Sequence, residues 1–297
     1  MQKPHVETIA TPVLEIAYEE YGERSARPIV LFHGWPDDVR TWDSIAPELA
    51  QRGYHVVVPY LRGFGATRFR SPATPRSGQN SAIGQDAADL LAALDLKDAV
   101  LAGHDWGARC AYGGAILASE RVRAVVSIAV PYGSNMATQT MSYAQVQAYW
   151  YHWFFSLERG RQTLENDRAA FCRNLWRGWS PGWQFSDEEF ARTAISWQNA
   201  DFVAITVHSY RHRWGNDVDD PQYAEVNKRI VSLPPMPVPV ISLFGADDRV
   251  TLLESTAVPE TRFARGYIAR VVAGAGHFVQ RERPQPVLEA ILEAAGA

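Results

Sequence analysis

Apolar residues in this chain fall in short unbroken runs separated by stretches of helical spacing. Pro28-Ile29-Val30-Leu31-Phe32, His55-Val56-Val57-Val58-Pro59, Ala99-Val100-Leu101-Ala102 and Ala124-Val125-Val126-Ser127-Ile128 have almost no polar position. Such runs predict strands buried on both faces of a sheet. Val13-Leu14-Glu15-Ile16-Ala17-Tyr18 alternates instead, as an exposed antiparallel strand would. Between the runs, Thr41 to Arg52, Ile83 to Leu94 and Trp106 to Ala118 carry helical patterns. Strand and helix in alternation predict βαβ units and an α/β fold with a mainly parallel, doubly wound sheet.

The alternation stops after Pro131. From Ser142 to about Val231 the pattern is helical throughout, with breaks near Trp179-Ser180-Pro181-Gly182 and Trp214-Gly215-Asn216. The stiff segment Pro234-Pro235-Met236-Pro237-Val238-Pro239 closes it. Strand signals then resume at Val240-Ile241-Ser242-Leu243-Phe244 and Ile268-Ala269-Arg270-Val271-Val272, followed by a helix from about Pro286 to Ala295. The pattern therefore predicts a helical segment inserted into a sheet domain that is completed afterwards. No internal repeat or low-complexity tract interrupts it.

At 297 residues the chain suits one large α/β domain with an inserted segment. A formal net charge of −4 argues against nucleic acid or an anionic membrane as a partner. Met1-Gln2-Lys3-Pro4-His5 lacks an apolar signal core, and no stretch approaches the roughly 20 apolar residues of a membrane span, so the expected location is cytoplasmic. The two cysteines, Cys110 and Cys172, give neither a disulfide framework nor metal spacing. His208 and His212 lie four apart without a carboxylate-rich motif and read as packing, so no metal is expected. The sequence leaves the oligomeric state open, a homodimer included. Tryptophan and tyrosine, 10 and 12 in number, crowd between Tyr143 and Trp214. That crowding makes the inserted segment a candidate substrate wall.

The chemistry concentrates at four turns. Gly103-His104-Asp105-Trp106-Gly107 has the Gly-x-nucleophile-x-Gly frame of a strand-to-helix turn, with Asp at its centre. A carboxylate is a poor attacker of carboxylic esters, but it displaces leaving groups from saturated carbon and forms an alkyl ester. An ordinary helix-capping Asp is the plainer alternative. His33-Gly34-Trp35-Pro36 follows a predicted strand and nominates the backbone N–H groups of Trp35 and Trp106 as an oxyanion hole. Gly274-Ala275-Gly276-His277-Phe278 presents His277 where a base would sit, in the chain order nucleophile, acid, histidine. Gly245-Ala246-Asp247-Asp248-Arg249 offers two acids to orient that histidine. The Gly-x-x-Asp spacing favours Asp248, with Asp247 as the competitor. No Asp or Glu occurs between Ser127 and Leu157, which closes the variant with the acid after the preceding strand.

Together with Leu61-Arg62-Gly63-Phe64-Gly65, these motifs resemble the α/β-hydrolase superfamily, specifically its epoxide hydrolase-like branch. The resemblance implies an α/β-hydrolase fold with a core over 1–133 and 238–297 and a helical cap over 134–237. It also implies a buried site at their junction and no cofactor. Epoxide hydrolases use two cap tyrosines as proton donors. Tyr151-His152-Trp153-Phe154-Phe155-Ser156 is similar to the segment carrying the first, with Tyr149 in reserve and as a substrate contact. Ser209-Tyr210-Arg211 is similar to the segment carrying the second. A haloalkane or haloacid dehalogenase with the same Asp nucleophile is the alternative, and a non-catalytic ligand-binding relative a third. Position 35 is Trp where such dehalogenases carry Asn, which favours the epoxide reading. The expected reaction opens a small apolar epoxide through an Asp105 ester that water hydrolyses with His277 and Asp248. Trp35 and Trp106 also contact the substrate.

Overall fold

A computed structural model describes residues 4–135 and 139–296. Met1, Gln2 and Lys3 of the N-terminal segment, and positions 136–138 within the expected cap, lie outside the described residues. Among the described residues nine strands form one sheet: β1 (His5–Ala10), β2 (Leu14–Tyr21), β3 (Pro28–Phe32), β4 (His55–Pro59), β5 (Arg68–Phe69), β6 (Ala99–His104), β7 (Val122–Ile128), β8 (Val240–Gly245) and β9 (Tyr267–Val272). Their order is β1-β2-β4-β3-β6-β7-β8-β9, with the short β5 paired to β2. Pairing is antiparallel around β2 and parallel from β4 through β9.

Every residue of β3, β4, β6 and β8 is buried, as continuous apolar runs require. Two differences from the sequence reading concern the sheet's antiparallel end. β2 is not an exposed strand: it lies between β1 and β4, and most of its residues are buried. β1 carries no alternation that would reveal it, because as the edge strand its residues are exposed or half-buried.

Helix α1 (Ala46–Gln51) is shorter than the stretch from Thr41 to Arg52 suggested. A separate 3₁₀ turn, Val39–Trp42, precedes it, capped by the Asp38 side chain on the Arg40 N–H. Pro47 occupies the first turn of α1, where its missing N–H costs nothing, so the helix starts there rather than earlier. α2 (Asn80–Ala93) and α3 (Trp106–Leu117) match their patterns, as does α12 (Pro284–Ala295) at the end of the chain; the short α11 (Val279–Glu282) before it was not expected.

Among the described residues the helical segment between β7 and β8 divides into seven pieces: α4 (Tyr143–Ala148), α5 (Trp150–Ser156), α6 (Glu158–Asn166), α7 (Arg168–Trp179), α8 (Asp187–Ala194), α9 (Phe202–Arg213) and α10 (Ala224–Val231). Local caps set three of the starts. Ser142, Asp167 and Ser186 accept from the N–H groups of Gln145, Ala170 and Glu189 at 3.1, 3.3 and 3.0 Å.

One face of the sheet packs on α1 and α12; the other packs on α2 and α3 and runs without a break into the aromatic residues of α5, α7 and α9. Trp176 of α7 donates to the Pro36 carbonyl at 2.8 Å. Arg281 pairs with Asp37 beside it. The inserted helices are thus fixed to the loop that follows β3.

Candidate active site

Trp35, Asp105, Asp248 and His277 follow the C-terminal ends of β3, β6, β8 and β9, the edge at which open parallel sheets gather their ligands. Asp105 sits between β6 and α3 with φ 51° and ψ −112°, a strained conformation for a residue with a Cβ. The turn is possible only because its neighbours are glycines. A Cβ on Gly103 would collide with the Gly107 carbonyl, and one on Gly107 with the Phe32 carbonyl. Gly34 is constrained by the site itself, since a Cβ there would stand 2.6 Å from the Asp105 Cβ. The β3 loop and the Asp105 turn therefore touch at backbone distance.

That contact gives the carboxylate two distinct oxygens. Oδ1 accepts the Trp35 backbone N–H at 2.9 Å. Oδ2 lies 3.9 Å from His277 Nε2. His277 Nδ1 in turn donates to Asp248 Oδ2 at 2.9 Å. Asp248 Oδ1 is held by the N–H groups of Val250 and Thr251 at 2.6 and 3.1 Å. Asp247 is exposed, so of the two acids Asp248 is the one beside the histidine. Burial alone would push the His277 imidazole down. The charges of Asp248 and Asp105 and the Asp248 hydrogen bond outweigh it, and hold His277 above the ordinary imidazole range.

Aromatic rings roof this centre. Tyr151 stacks on Trp35 at 5.8 Å, Tyr210 meets Trp35 edge-on at 5.0 Å, and the two tyrosine rings lie 5.2 Å apart. Trp106 is 5.8 Å from Tyr210. Both phenols are pushed well above their usual range, first by burial, with the Asp105 charge adding to the effect. They are protonated donors at neutral pH. The Tyr210 hydroxyl, the indole N–H groups of Trp35 and Trp106, and His277 Nε2 are buried without a hydrogen-bond partner among the described residues. Tyr149 stands apart: its ring contacts are His152 and Trp214, not the indole pair.

Sequence reasoning passed over three contributors. Trp179, noted only as a helix break, packs on Tyr151 at 4.9 Å and on His277 at 5.2 Å. His104 pairs through Nε2 with the His277 carbonyl at 3.0 Å; burial pushes it well down, so it is neutral and serves to fix the His277 loop. Arg109, one helical turn after Asp105, is buried and was readable from its i+4 position. His33 has no free ring nitrogen: Nδ1 donates to the Gly34 carbonyl and Nε2 accepts the Leu61 N–H.

No metal-ligating group of side chains gathers at Asp105 among the described residues; the one such cluster, His5, Glu7 and Glu20, is on β1 and β2. His208 and His212 accept or pair locally, with the Gly78 N–H and with Asp219. No helix among the described residues is long and apolar enough to cross a membrane.

The family model of the alpha/beta hydrolase fold matches residues 27–284. Epoxide hydrolase of Caballeronia sordidicola is 31% identical, the match covering 64% of this chain and 61% of that protein. Epoxide hydrolase A of Mycobacterium tuberculosis is 26% identical over 99% of this chain and 98% of its own length. A crystal structure of a candidate epoxide hydrolase from Klebsiella pneumoniae superposes with a TM-score of 0.91 at 36% identity, covering 98% of this chain and 97% of that one. With the family match spanning most of its length, and the strained Asp105 turn at the edge of its parallel sheet, the chain belongs to the α/β-hydrolase family.

Proposed function

We propose that the protein is an epoxide hydrolase that works through an ester on Asp105. The observation that carries this reading is one carboxylate with two differently occupied oxygens, Oδ1 on the Trp35 N–H and Oδ2 toward His277, beneath two buried protonated tyrosines. The names of the Caballeronia and Mycobacterium relatives support the same reaction. The core and cap division at about 133 and 238 is part of the proposal.

Asp105 Oδ2 attacks the less hindered epoxide carbon while Tyr151 and Tyr210 donate to the ring oxygen, and one phenol gives up its proton. The ester removes the Asp105 charge. With it goes one of the influences raising His277, so the imidazole is more readily neutral and free to accept a proton when water must be activated. His277 Nε2 takes a proton from water, whose oxygen attacks the Asp105 carbonyl carbon. The oxyanion forms on Oδ1, already seated on the Trp35 N–H, with the Trp106 N–H as second donor. Collapse releases the diol, His277 protonates the departing alkoxide, and the proton set free by the new carboxyl returns to the tyrosinate.

Water and these side chains suffice, so no cofactor is invoked. The aromatic walls suit a small apolar reacting end, with Trp35 and Trp106 as contacts. Both cysteines are buried and free, which suits a reducing compartment such as the cytoplasm.

Two experiments bear on this. Wild-type enzyme assayed side by side on styrene oxide-type epoxides and on haloalkanes is expected to form diol and release no halide. Halide release without diol would transfer Asp105 to dehalogenation, for which the unpartnered indoles of Trp35 and Trp106 are suitable donors. Separately, Asp248→Asn is expected to slow ester hydrolysis by roughly 10⁴, the scale for losing the group that orients a catalytic histidine. Asp247→Asn should change it little. A larger loss from Asp247→Asn would reverse the assignment.

A further inference from the structure

A cavity of about 340 Å³ is walled by Ile116, Val130, Ile230 and Leu233. Arg109 and Arg213 line it, 9% and 7% exposed. Buried guanidinium groups need partners, since an unpaired one loses several kcal/mol of hydration. The chain observes this rule elsewhere: Arg62 meets Asp86 and Arg281 meets Asp37. Arg109 and Arg213 do not follow it, as neither comes within 4.0 Å of a carboxylate among the described residues. Among the described residues Arg109 reaches only the Ser134 carbonyl and hydroxyl, at 3.2 and 3.4 Å. Arg213 donates to the Ser209 hydroxyl at 3.1 Å. The Nε atoms of both are buried without a partner among the described residues. Two acids also line the cavity: Asp219 pairs with His212 at 2.6 Å and Asp217 accepts the Val218 N–H at 2.9 Å, and neither is within ion-pair distance of Arg109 or Arg213.

The two arginines also stand next to the reacting groups. Arg109 follows Asp105 by four residues along α3, and Arg213 follows Tyr210 by three on α9, so each is about one helical turn away. The Arg213 guanidinium lies 4.8 Å over the Tyr210 ring. Burial, with Arg213 beside it, pushes Arg109 down to about 10.

We propose that this cavity binds a carboxylate carried by the substrate, so that the preferred substrates are epoxides with an acid group on a short apolar chain. The inference rests on the epoxide reading of Asp105. The guanidinium forks supply paired donors for a carboxylate. The aliphatic wall takes the connecting chain, and the aromatic roof takes the epoxide end. A phosphate offers the same charge, and the test separates the two.

Terminal-epoxy alkanoates of increasing chain length, each compared with its methyl ester, provide the assay. One acid of the series is expected to exceed its ester in kcat/KM by roughly 10- to 100-fold, the scale of a charge-assisted contact. In Arg109→Met and in Arg213→Met that ratio should fall toward one, while Arg109→Lys, which keeps the charge, should retain part of it. Should one Met variant fail to fold, the other carries the comparison. Equal rates on acid and ester throughout the series overturn the carboxylate site and leave the epoxide chemistry standing. If neither acid nor ester is opened, the epoxide reading fails and calorimetric binding of hexanoate decides. Binding weakened by either Met variant supports the site. No binding, or tighter binding of inorganic phosphate, overturns it.

Discussion

Tyr151→Phe together with Tyr210→Phe is expected to leave the protein nearly unable to open an epoxide. Ring opening at neutral pH creates an alkoxide, and both hydroxyls are held protonated above Asp105 by burial and by its charge. Each single substitution should slow alkylation by roughly 10² or more, the usual scale for losing a positioned acid. The double substitution should exceed either, because one tyrosine partly covers for the other. Phe retains the ring that packs on Trp35 at 5.8 Å for Tyr151 and 5.0 Å for Tyr210, so the fold and substrate wall should survive. Single-turnover kinetics with a strained aryl epoxide reads the step directly. Unchanged alkylation in both single variants and the double variant would remove the tyrosines from the reaction and return attention to halide displacement.

Most of the sheet was legible in the sequence because its strands are buried on both faces and therefore read as unbroken apolar runs. β3 and β4 match those runs residue for residue. β1 was not legible, because an edge strand with exposed positions such as Val6 carries no such signal. The exposed reading of β2 failed for a related reason: exposure depends on which strands flank it, and β1 and β5 were both unseen. Turn chemistry was the most informative part. The Gly-x-Asp-x-Gly frame, His-Gly-Trp-Pro, the acid at Gly-x-x-Asp and the late histidine converge in space, because each ends a neighbouring parallel strand.

The helical insertion was legible as helical but not as an arrangement. Which of Tyr149, Tyr151 and Tyr210 faces the indole pair depends on how seven short helices pack, and aromatic abundance carries no direction. The missed arginines have a different lesson. Arg109 and Arg213 each follow a recognised residue by one turn, yet spacing alone cannot reveal that a buried cation has no carboxylate within ion-pair distance among the described residues. That fact exists only once the fold has excluded the other candidates.

The central claim is that Asp105 becomes covalently attached to the substrate and is released through His277. His277→Gln separates the two halves. A carboxylate needs no base to be nucleophilic at neutral pH, so alkylation should proceed with Asp105, Tyr151 and Tyr210 intact. Hydrolysis should stop, because no group remains at the His277 Nε2 position, 3.9 Å from Asp105 Oδ2, to take the proton from water. Multiple turnover should fall by several orders of magnitude while one equivalent of substrate is consumed. Intact-protein mass spectrometry of His277→Gln after incubation with an epoxide that the wild type hydrolyses is the direct measurement. The account predicts an added mass equal to the whole epoxide, carried after digestion on the peptide that contains Asp105. Normal turnover by His277→Gln, or no adduct at Asp105 with a substrate the wild type accepts, would contradict it.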